Sequence, residues 1–269
     1  MPPPATPAPA VLNAITEELC TWPWVFSLDR TTGRYQLFLG VDAVDLAGLD
    51  GLLAARLGRL DGVTAMRIAV AAQVHREGGD WLARALTPVQ RAMLADGPPA
   101  IRAPGPTRWD LADAAIARAV AVDPRRRSSD LADDCGISES TVRRRLSRML
   151  RNRELLFRCD VANPLAGWPV TALYRVEVRA DRLAESARAL ATLRETRLCV
   201  TVVGDHNLLL IAWLHSPAEC AEFEARMSAA APVARVMERN ISTWVVKRMG
   251  RLLDSRGRAV GSVPMTPDT

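Results

Sequence analysis

Arginine is the side chain best suited to bind phosphate, and one stretch of this sequence concentrates it. Residues 138–155 read SESTVRRRLSRMLRNREL and hold six arginines. Residues 124–158 hold ten arginines against five acids, an excess that equals the net charge of +5 of the whole chain. A local positive excess of this kind is typical of a nucleic-acid-binding surface, because neutralised phosphates release their counterions.

The helical phase of this stretch separates a side to be buried from a side to be exposed. At about 100° per residue, one side is apolar and the other carries arginines and small hydroxyl residues. The apolar side consists of Val142, Leu146, Met149 and Leu150. Arg145 lies beside it and is predicted to be structural. With neighbouring cations, the predicted DNA contacts are Arg127, Ser138, Ser140, Thr141, Arg143, Arg144, Ser147, Arg148, Arg151 and Arg158.

Three helices are predicted to position these side chains. The first covers 109–123 and the second 128–136, where Gly136 can end it in a left-handed conformation. Ser138 is a suitable N-cap for the third, which runs to about Asn152. Helix, tight turn and helix in this order predict a winged helix-turn-helix over 107–162, with 155–162 as its wing or a connecting strand.

A βαββαβ pattern follows the helices over 163–250, with a hairpin turning at Gly204. This is the ferredoxin-like order. A block over 11–95 shows the same order at an offset of about 171 residues, without a first strand. It has a hairpin at Gly33, a helix over 45–60 capped by Asp45, and a strand over 63–75.

The predicted fold class is therefore α+β: a winged helix-turn-helix flanked by two ferredoxin-like effector or oligomerisation domains, the first incomplete. Three further segments complete the division of the chain. They are a disordered Pro/Ala tail over 1–10, a linker over 96–106 and a polar tail over 251–269.

Several function classes find no support in the residues. The five cysteines are scattered without a CxxC pair, so we predict small buried thiols and no metal site. The apolar run at 208–214 is far shorter than the roughly 20 residues that span a bilayer. No secretory signal is evident. We predict a cytoplasmic protein with no membrane contact, no cofactor and no catalytic residues.

Residues 109–167 resemble the DNA-binding domain of Lrp/AsnC (feast/famine) transcription regulators. That family opens with the pattern L-D-x2-D-x2-I-L-x2-L-x2-D. The residues that stand in these places are Trp109, Asp110, Asp113, Ile116, Ala117, Val120 and Asp123. Residues 130–150 are similar to the family's second and recognition helices. The unit at 169–247 is similar to the family's effector and oligomerisation domain, and Asn207 stands where its hairpin usually has an acid.

The resemblance implies a regulator that binds double-stranded DNA and a small effector, most simply an amino acid. It places the effector near the second hairpin, at Thr201, Gly204, Asp205, His206 and Asn207. It also implies pairing of the two effector-type domains within one chain as a pseudo-dimer, and a homo-oligomer that brings two recognition helices to one site. Compared with a doubled family member, the first DNA-binding unit is missing.

Two other functions remain open. Sirohaem decarboxylases resemble the same fold, and an enzyme of that type would use imidazole groups from His75, His206 or His215. Alternatively, the chain is a partner subunit without DNA contacts of its own, assembled with a full-length paralogue.

Overall fold

The computed structural model describes residues 8–80, 109–152 and 154–265. The predicted linker at 96–106 lies outside these residues, as do 81–95 of the front block. Within the described part, the elements fall into a front half, a helical unit and a rear half.

The front half begins with a helix and a hairpin. Its elements are α1 (Pro9–Thr21), β1 (Val25–Thr31), β2 (Leu37–Val41), α2 (Leu46–Ala55) and β3 (Val70–Arg76). The predicted turn at Gly33 is confirmed: its φ of 92° is one that glycine adopts without strain. The Asp45 side chain accepts a hydrogen bond from the Gly48 amide, which confirms it as the cap of α2.

The helical unit has three helices, and the second ends and the third begins at the residues that were predicted to cap them. They are α3 (Leu111–Val122), α4 (Ser128–Cys135) and α5 (Glu139–Arg151). Gly136 ends α4 at φ 64° in the left-handed region, and Ser138 caps α5 through the Thr141 amide. Both features were predicted from residue type, because only glycine takes that conformation freely and serine accepts from an unpaired first-turn amide.

The rear half contains the complete βαββαβ unit. It comprises β4 (Val170–Glu177), α6 (Leu183–Ala191), β5 (Thr196–Val203), β6 (Leu208–Leu214), α7 (Glu219–Ala230) and β7 (Arg235–Arg248). A small hairpin, β8 (Arg251–Leu253) and β9 (Ala259–Ser262), follows and pairs with the end of β7.

One antiparallel sheet joins the two halves, in the order β2-β1-β7-β4-β6-β5-β3. The central β7-β4-β6-β5 is the strand order of a ferredoxin-like unit. Front strands extend it at both ends: β1 pairs with β7, and β3 pairs with β5. The two halves are therefore held together by main-chain hydrogen bonds as well as by side-chain packing.

Separate apolar cores support the three parts. In the rear core, Tyr174, Leu210 and Phe223 are fully buried between the sheet and helices α6 and α7. The front core gathers Leu19, Val25 and Leu28 with neighbours from β7. The helical unit has its own small core. Each of the three parts thus has an apolar core of its own.

Lys247 lies in the core, with no exposed surface, at the junction of the two halves. Its Nζ donates to the carbonyls of Cys20 (3.0 Å) and Trp22 (2.8 Å), where α1 ends. Burial lowers the pKa of this amine. The side chain satisfies helix-end carbonyls that would otherwise be buried without a donor.

Four sequence predictions need correction. Helix α1 begins at Pro9, inside the predicted tail of 1–10, since proline is well suited to the first turn of a helix. The strand predicted over 63–75 covers only Val70–Arg76. Part of the predicted polar tail forms β8 and β9, where Leu253 is buried. Of the predicted buried thiols, Cys159 is exposed.

Replacing Lys247 by methionine tests the junction. Methionine keeps the apolar stem but leaves the two carbonyls without a donor, so we expect a loss of about 2 kcal/mol in the free energy of unfolding. Urea unfolding followed by circular dichroism measures it. Arg235→Met, at an exposed site on the same strand, is the control and should change stability little. Equal stability of the two variants would contradict a role for these hydrogen bonds.

Candidate nucleic-acid interface

Helix α5 lies on the helical unit with one side buried. Val142 and Met149 are fully buried, and Leu146 is half-buried against the core of α3 and α4. The predicted division of this helix into an apolar and a polar side is confirmed. The packing fixes which side chains of α5 can meet a ligand.

A single carboxylate orients two arginines of α5. Asp113 is 1% exposed and closes a capping box with Asp110 at the start of α3. Arg145 Nη1 lies 2.9 Å from one Asp113 oxygen, and Arg148 Nη2 lies 2.7 Å from the other. Burial alone would raise the pKa of Asp113, but the hydrogen bonds from Arg148 and Arg145 outweigh it and the pKa is lowered. The ionised carboxylate ties α5 to α3.

The remaining polar side chains of α5 face away from the protein. Arg143 is exposed and pairs with Glu139 one turn earlier, at 2.6 Å. Arg144 and Arg151 are exposed and form no ion pair with any described residue. The exposed members of the predicted set are Arg127 before α4, Ser138, Ser140, Arg143, Arg144, Ser147 and Arg151. We call Arg127, Ser140, Arg143, Arg144, Ser147 and Arg151 the α5 face.

Other members of the predicted set do not point outward freely. Arg148 is held by Asp113 and Glu154. The Ser138 hydroxyl lies 2.8 Å from that of Thr141 and caps the helix. Arg148 stays a predicted DNA contact, but its ion pairs were not predicted, because helical phase gives the direction of a side chain and not its ion-pair partner.

Arg158 is the largest departure from the prediction. Residues 155–162 form no strand, and Arg158 turns inward to pair with Asp160 at 2.8 Å and Glu77 at 3.3 Å. Arg197, 7% exposed, binds the same Asp160. This is an interior ion cluster between the halves, so Arg158 is not part of the α5 face.

The predicted effector residues lie together at the β5–β6 hairpin but have internal partners. Asn207 accepts from the Val178 amide (3.0 Å) and donates to the Val178 carbonyl (2.6 Å). Thr201 donates to the carbonyl of Gln73 on β3. Gly204 lies against residues 68 and 69, where a Cβ would come within 3.0 Å of Ile68. Asn207 and Thr201 therefore act first as parts of the fold.

Two predicted effector residues keep polar groups near the surface of this hairpin. The Asp205 carboxylate is 66% exposed, and one oxygen lies 3.1 Å from Arg67 Nε. His206 Nδ1 lies 3.9 Å from Glu177. Because Asp205 retains an open carboxylate oxygen, it can accept a further cation or N–H donor.

The three histidines lie on different elements. His75 is on β3, with a pKa lowered by burial. His215 stacks on Trp168 with ring centroids 4.0 Å apart, and its Nδ1 lies 2.6 Å from the Gly167 carbonyl. In the part of the chain that the structure describes, no group of three or more potential ligands could hold a metal ion. Among the same residues, no helix has the length and apolar character needed to cross a membrane.

Sequence comparisons agree with this architecture. A family model described as the Lrp/AsnC ligand binding domain matches residues 5–80, and one described as winged helix-turn-helix DNA-binding matches residues 110–152. An uncharacterised HTH-type transcriptional regulator of Pyrococcus furiosus is 33% identical over 102 residues, covering 38% of this chain and 69% of that protein. The chain belongs to the Lrp/AsnC family of transcription regulators. The predicted family is confirmed.

Further similar proteins extend this comparison. An uncharacterised HTH-type regulator of Sinorhizobium fredii is 31% identical to this Lrp/AsnC member over 121 residues, covering 44% of this chain and 72% of that protein. The leucine response regulatory protein of Mycobacterium tuberculosis, a solved structure, is 22% identical, covers 49% of this chain and 91% of its own, and has a TM-score of 0.45.

Sequence reasoning missed the role of Asp113. The available signal was the spacing of Asp110 and Asp113 at the start of α3, which is typical of a capping box. The contact with α5 joins residues 32 positions apart, so no local pattern indicates it. The interior pairing of Arg158 with Glu77 was missed for the same reason.

Asp113→Asn should loosen α5. The amide keeps the shape but cannot neutralise Arg145 and Arg148, so we expect a loss of about 3 kcal/mol in the stability of the helical unit. Because the folded pKa is lowered, the stabilisation by the carboxylate is present above its unfolded pKa and is lost as the pH falls through the folded value. Thermal unfolding of both proteins should thus differ at pH 7 and converge in acid. A difference that persists unchanged in acid would contradict the assignment.

Proposed function

We propose that the chain regulates transcription by inserting α5 into the major groove of double-stranded DNA. The observation that carries the proposal is the α5 face, an exposed, positively charged surface on a helix that Asp113 holds in place. Arginines on such a face can bind phosphates or the guanine edge. Ser140, near the first turn, lies where this motif usually reaches the bases.

The arginines divide into two groups in this proposal. Arg145 and Arg148 are occupied by Asp113, so they set the orientation of α5. Arg144 and Arg151 are open to a ligand, and the exposed Arg127 adds a further positive charge to the helical unit. Support comes from the similar proteins that are named transcriptional regulators. Neither of these two proteins is named as an enzyme.

A second copy of the chain follows from this proposal. The described residues contain one helix-turn-helix unit, whereas a pseudo-palindromic site takes two recognition helices. We propose that the front and rear halves correspond to a pair of effector-type domains, of which the first is incomplete. Support comes from the pairing of front strands with rear strands, β1 with β7 and β3 with β5. The ligand-binding-domain match at residues 5–80 supports it as well.

Alanine at both Arg144 and Arg151 tests the DNA contact. Losing two phosphate contacts should weaken binding roughly tenfold near physiological salt and make the log–log salt slope shallower by about 2. Gel shift or anisotropy on promoter fragments taken from genomic DNA measures both quantities.

Alanine at both Arg256 and Arg258 is the matched control for this experiment, since both arginines are exposed and far along the chain from α5. It removes the same two positive charges and should leave both affinity and slope near the wild-type values. If the double variant and the control behave alike, α5 does not contact DNA.

We also propose that a small effector, amino-acid-like in its ammonium group, binds at the β5–β6 hairpin. The open oxygen of Asp205 would accept the ammonium, and His206 lies next to it. Because Asn207 and Thr201 are engaged by the backbone, they would shape the site rather than hold the ligand.

Asp205→Asn tests the effector site. Amino acids at millimolar concentration should raise the thermal midpoint of the wild-type protein by a few degrees, since a ligand that binds the native state stabilises it. We expect this shift to vanish in Asp205→Asn and to survive in Asp181→Asn, an exposed carboxylate elsewhere. Absence of any shift in the wild type would argue against an amino-acid effector.

A further inference from the structure

In the part of the chain that the structure describes, the main run of the sheet ends in two free edges, and both belong to the front half. Among the described residues, β2 pairs with β1 alone and β3 with β5 alone. A free edge presents unpaired N–H and C=O groups, which a further strand can bind. The strands β2 and β3 therefore each have one edge that no described strand pairs with.

The internal repeat indicates which strand would lie between these edges. Superposing Gly33 on Gly204 and Val63 on Val233 makes β2 the equivalent of β6, and β3 the equivalent of β7. In the rear half, β6 and β7 are both paired with β4, which lies between them. By this equivalence, the described residues lack one strand between β2 and β3.

The residues before β3 behave as a strand that lacks its partner. In β7, Val236 to Ser242 pair with β4, and their equivalents are 66–72. Only Val70 onward is a strand, and Met66 and Ile68 are 43% and 45% exposed. The segment thus has the sequence of a strand and leaves its apolar side chains in solvent, because nothing described pairs with it.

The front core is also incomplete where this strand would pack. Helix α2 buries no residue, whereas its equivalent α7 buries Cys220, Phe223 and Met227. Strand β2 is only half-buried throughout. A cavity of about 880 Å³ lies there, lined by α1, α2, β2 and β3 and by the inner face of the rear sheet. Folded interiors leave few voids larger than a water molecule.

We propose that one strand of a partner polypeptide fills this cavity and pairs with both β2 and β3. The partner segment would be extended, about eight residues long, free of proline and apolar at alternate positions, so that one of its faces packs on α1 and α2. The repeat indicates that the occupant is a β-strand, since β4 lies between the equivalent strands β6 and β7 in the rear half and pairs with both.

A polypeptide fits these observations better than a small molecule. Two strand edges need N–H and C=O groups repeated at the spacing of a strand, and a main chain supplies both. The start of this chain has the wrong chemistry, because four of its first seven residues are prolines, which lack the N–H that a central strand donates.

A peptide copied from residues 170–178 of the chain, VTALYRVEV, is the probe. Labelled with fluorescein, it should bind the full chain saturably by anisotropy. The same peptide with alternate amides N-methylated keeps its side chains but loses donors, so it should bind at least about tenfold more weakly. Hydrogen exchange should show new protection of the amides at 66–74 and 37–41.

Two aspartate variants on α2 control for the site. Leu49 lines the cavity, whereas Ala47 is exposed outside it. Leu49→Asp should weaken peptide binding at least about tenfold by placing a charge in the apolar site, while Ala47→Asp should not. Circular dichroism confirms that both fold.

The outcomes separate the possible occupants. Absence of saturable binding overturns the proposal, including the case in which residues of the chain itself fill the space. Equal binding of the N-methylated peptide, or binding indifferent to Leu49→Asp, overturns it as well. Release of a small organic molecule from the denatured protein, together with failure to bind the peptide, would assign the cavity to that molecule. None of these results depends on DNA binding, so the partner-strand proposal and the DNA-binding proposal fail separately.

Discussion

The pairing of β1 with β7 is the interaction on which the rest of the structure depends. Strand β7 lies between β1 of the front half and β4 of the rear half, so one strand belongs to both ladders. Lys247, on this strand, adds the hydrogen bonds to the end of α1. At the opposite end of the sheet, β3 pairs with β5. Residues more than 120 positions apart are thereby joined by main-chain hydrogen bonds, whose direction and spacing leave little freedom in how the halves meet.

The helical unit follows a different principle, since a charge fixes its geometry. Its apolar core is small, and the carboxylate of Asp113 links α3 to α5 through two arginines. The same residue type therefore serves two purposes within one helix. Arg145 and Arg148 hold the helix, whereas Arg144 and Arg151 are exposed and have no ion-pair partner among the described residues. A charge that is buried and paired gives orientation, whereas an exposed charge gives attraction to phosphate.

Two of the proposals, the second copy of the chain and the partner strand, arise from incompleteness relative to the repeat. With one helix-turn-helix unit in the described residues, DNA recognition at a two-fold site takes a second copy. With one strand fewer among the described residues of the front half, the main run of the sheet has free edges at β2 and β3, and the front helices cover a cavity. Arg251 of the small β8–β9 hairpin donates to the carbonyls that end α3, at 2.8 Å from Val122 and 3.1 Å from Ala121. This contact connects the sheet to the DNA-binding unit and gives a physical route between the two.

The sequence by itself determined the features that depend on near neighbours. The caps at Asp45, Ser138 and Gly136, the turn at Gly33 and the apolar side of α5 follow from residue type and period, because their interactions span a few residues. The family also followed from such local patterns. Tertiary structure alone decided which arginines are free. Arg148 and Arg158 have partners 35 and 81 positions away, and the segment at 63–69 has strand residues but no neighbouring strand. Ion pairs and ladders are made between distant parts of the chain, so local pattern cannot assign them.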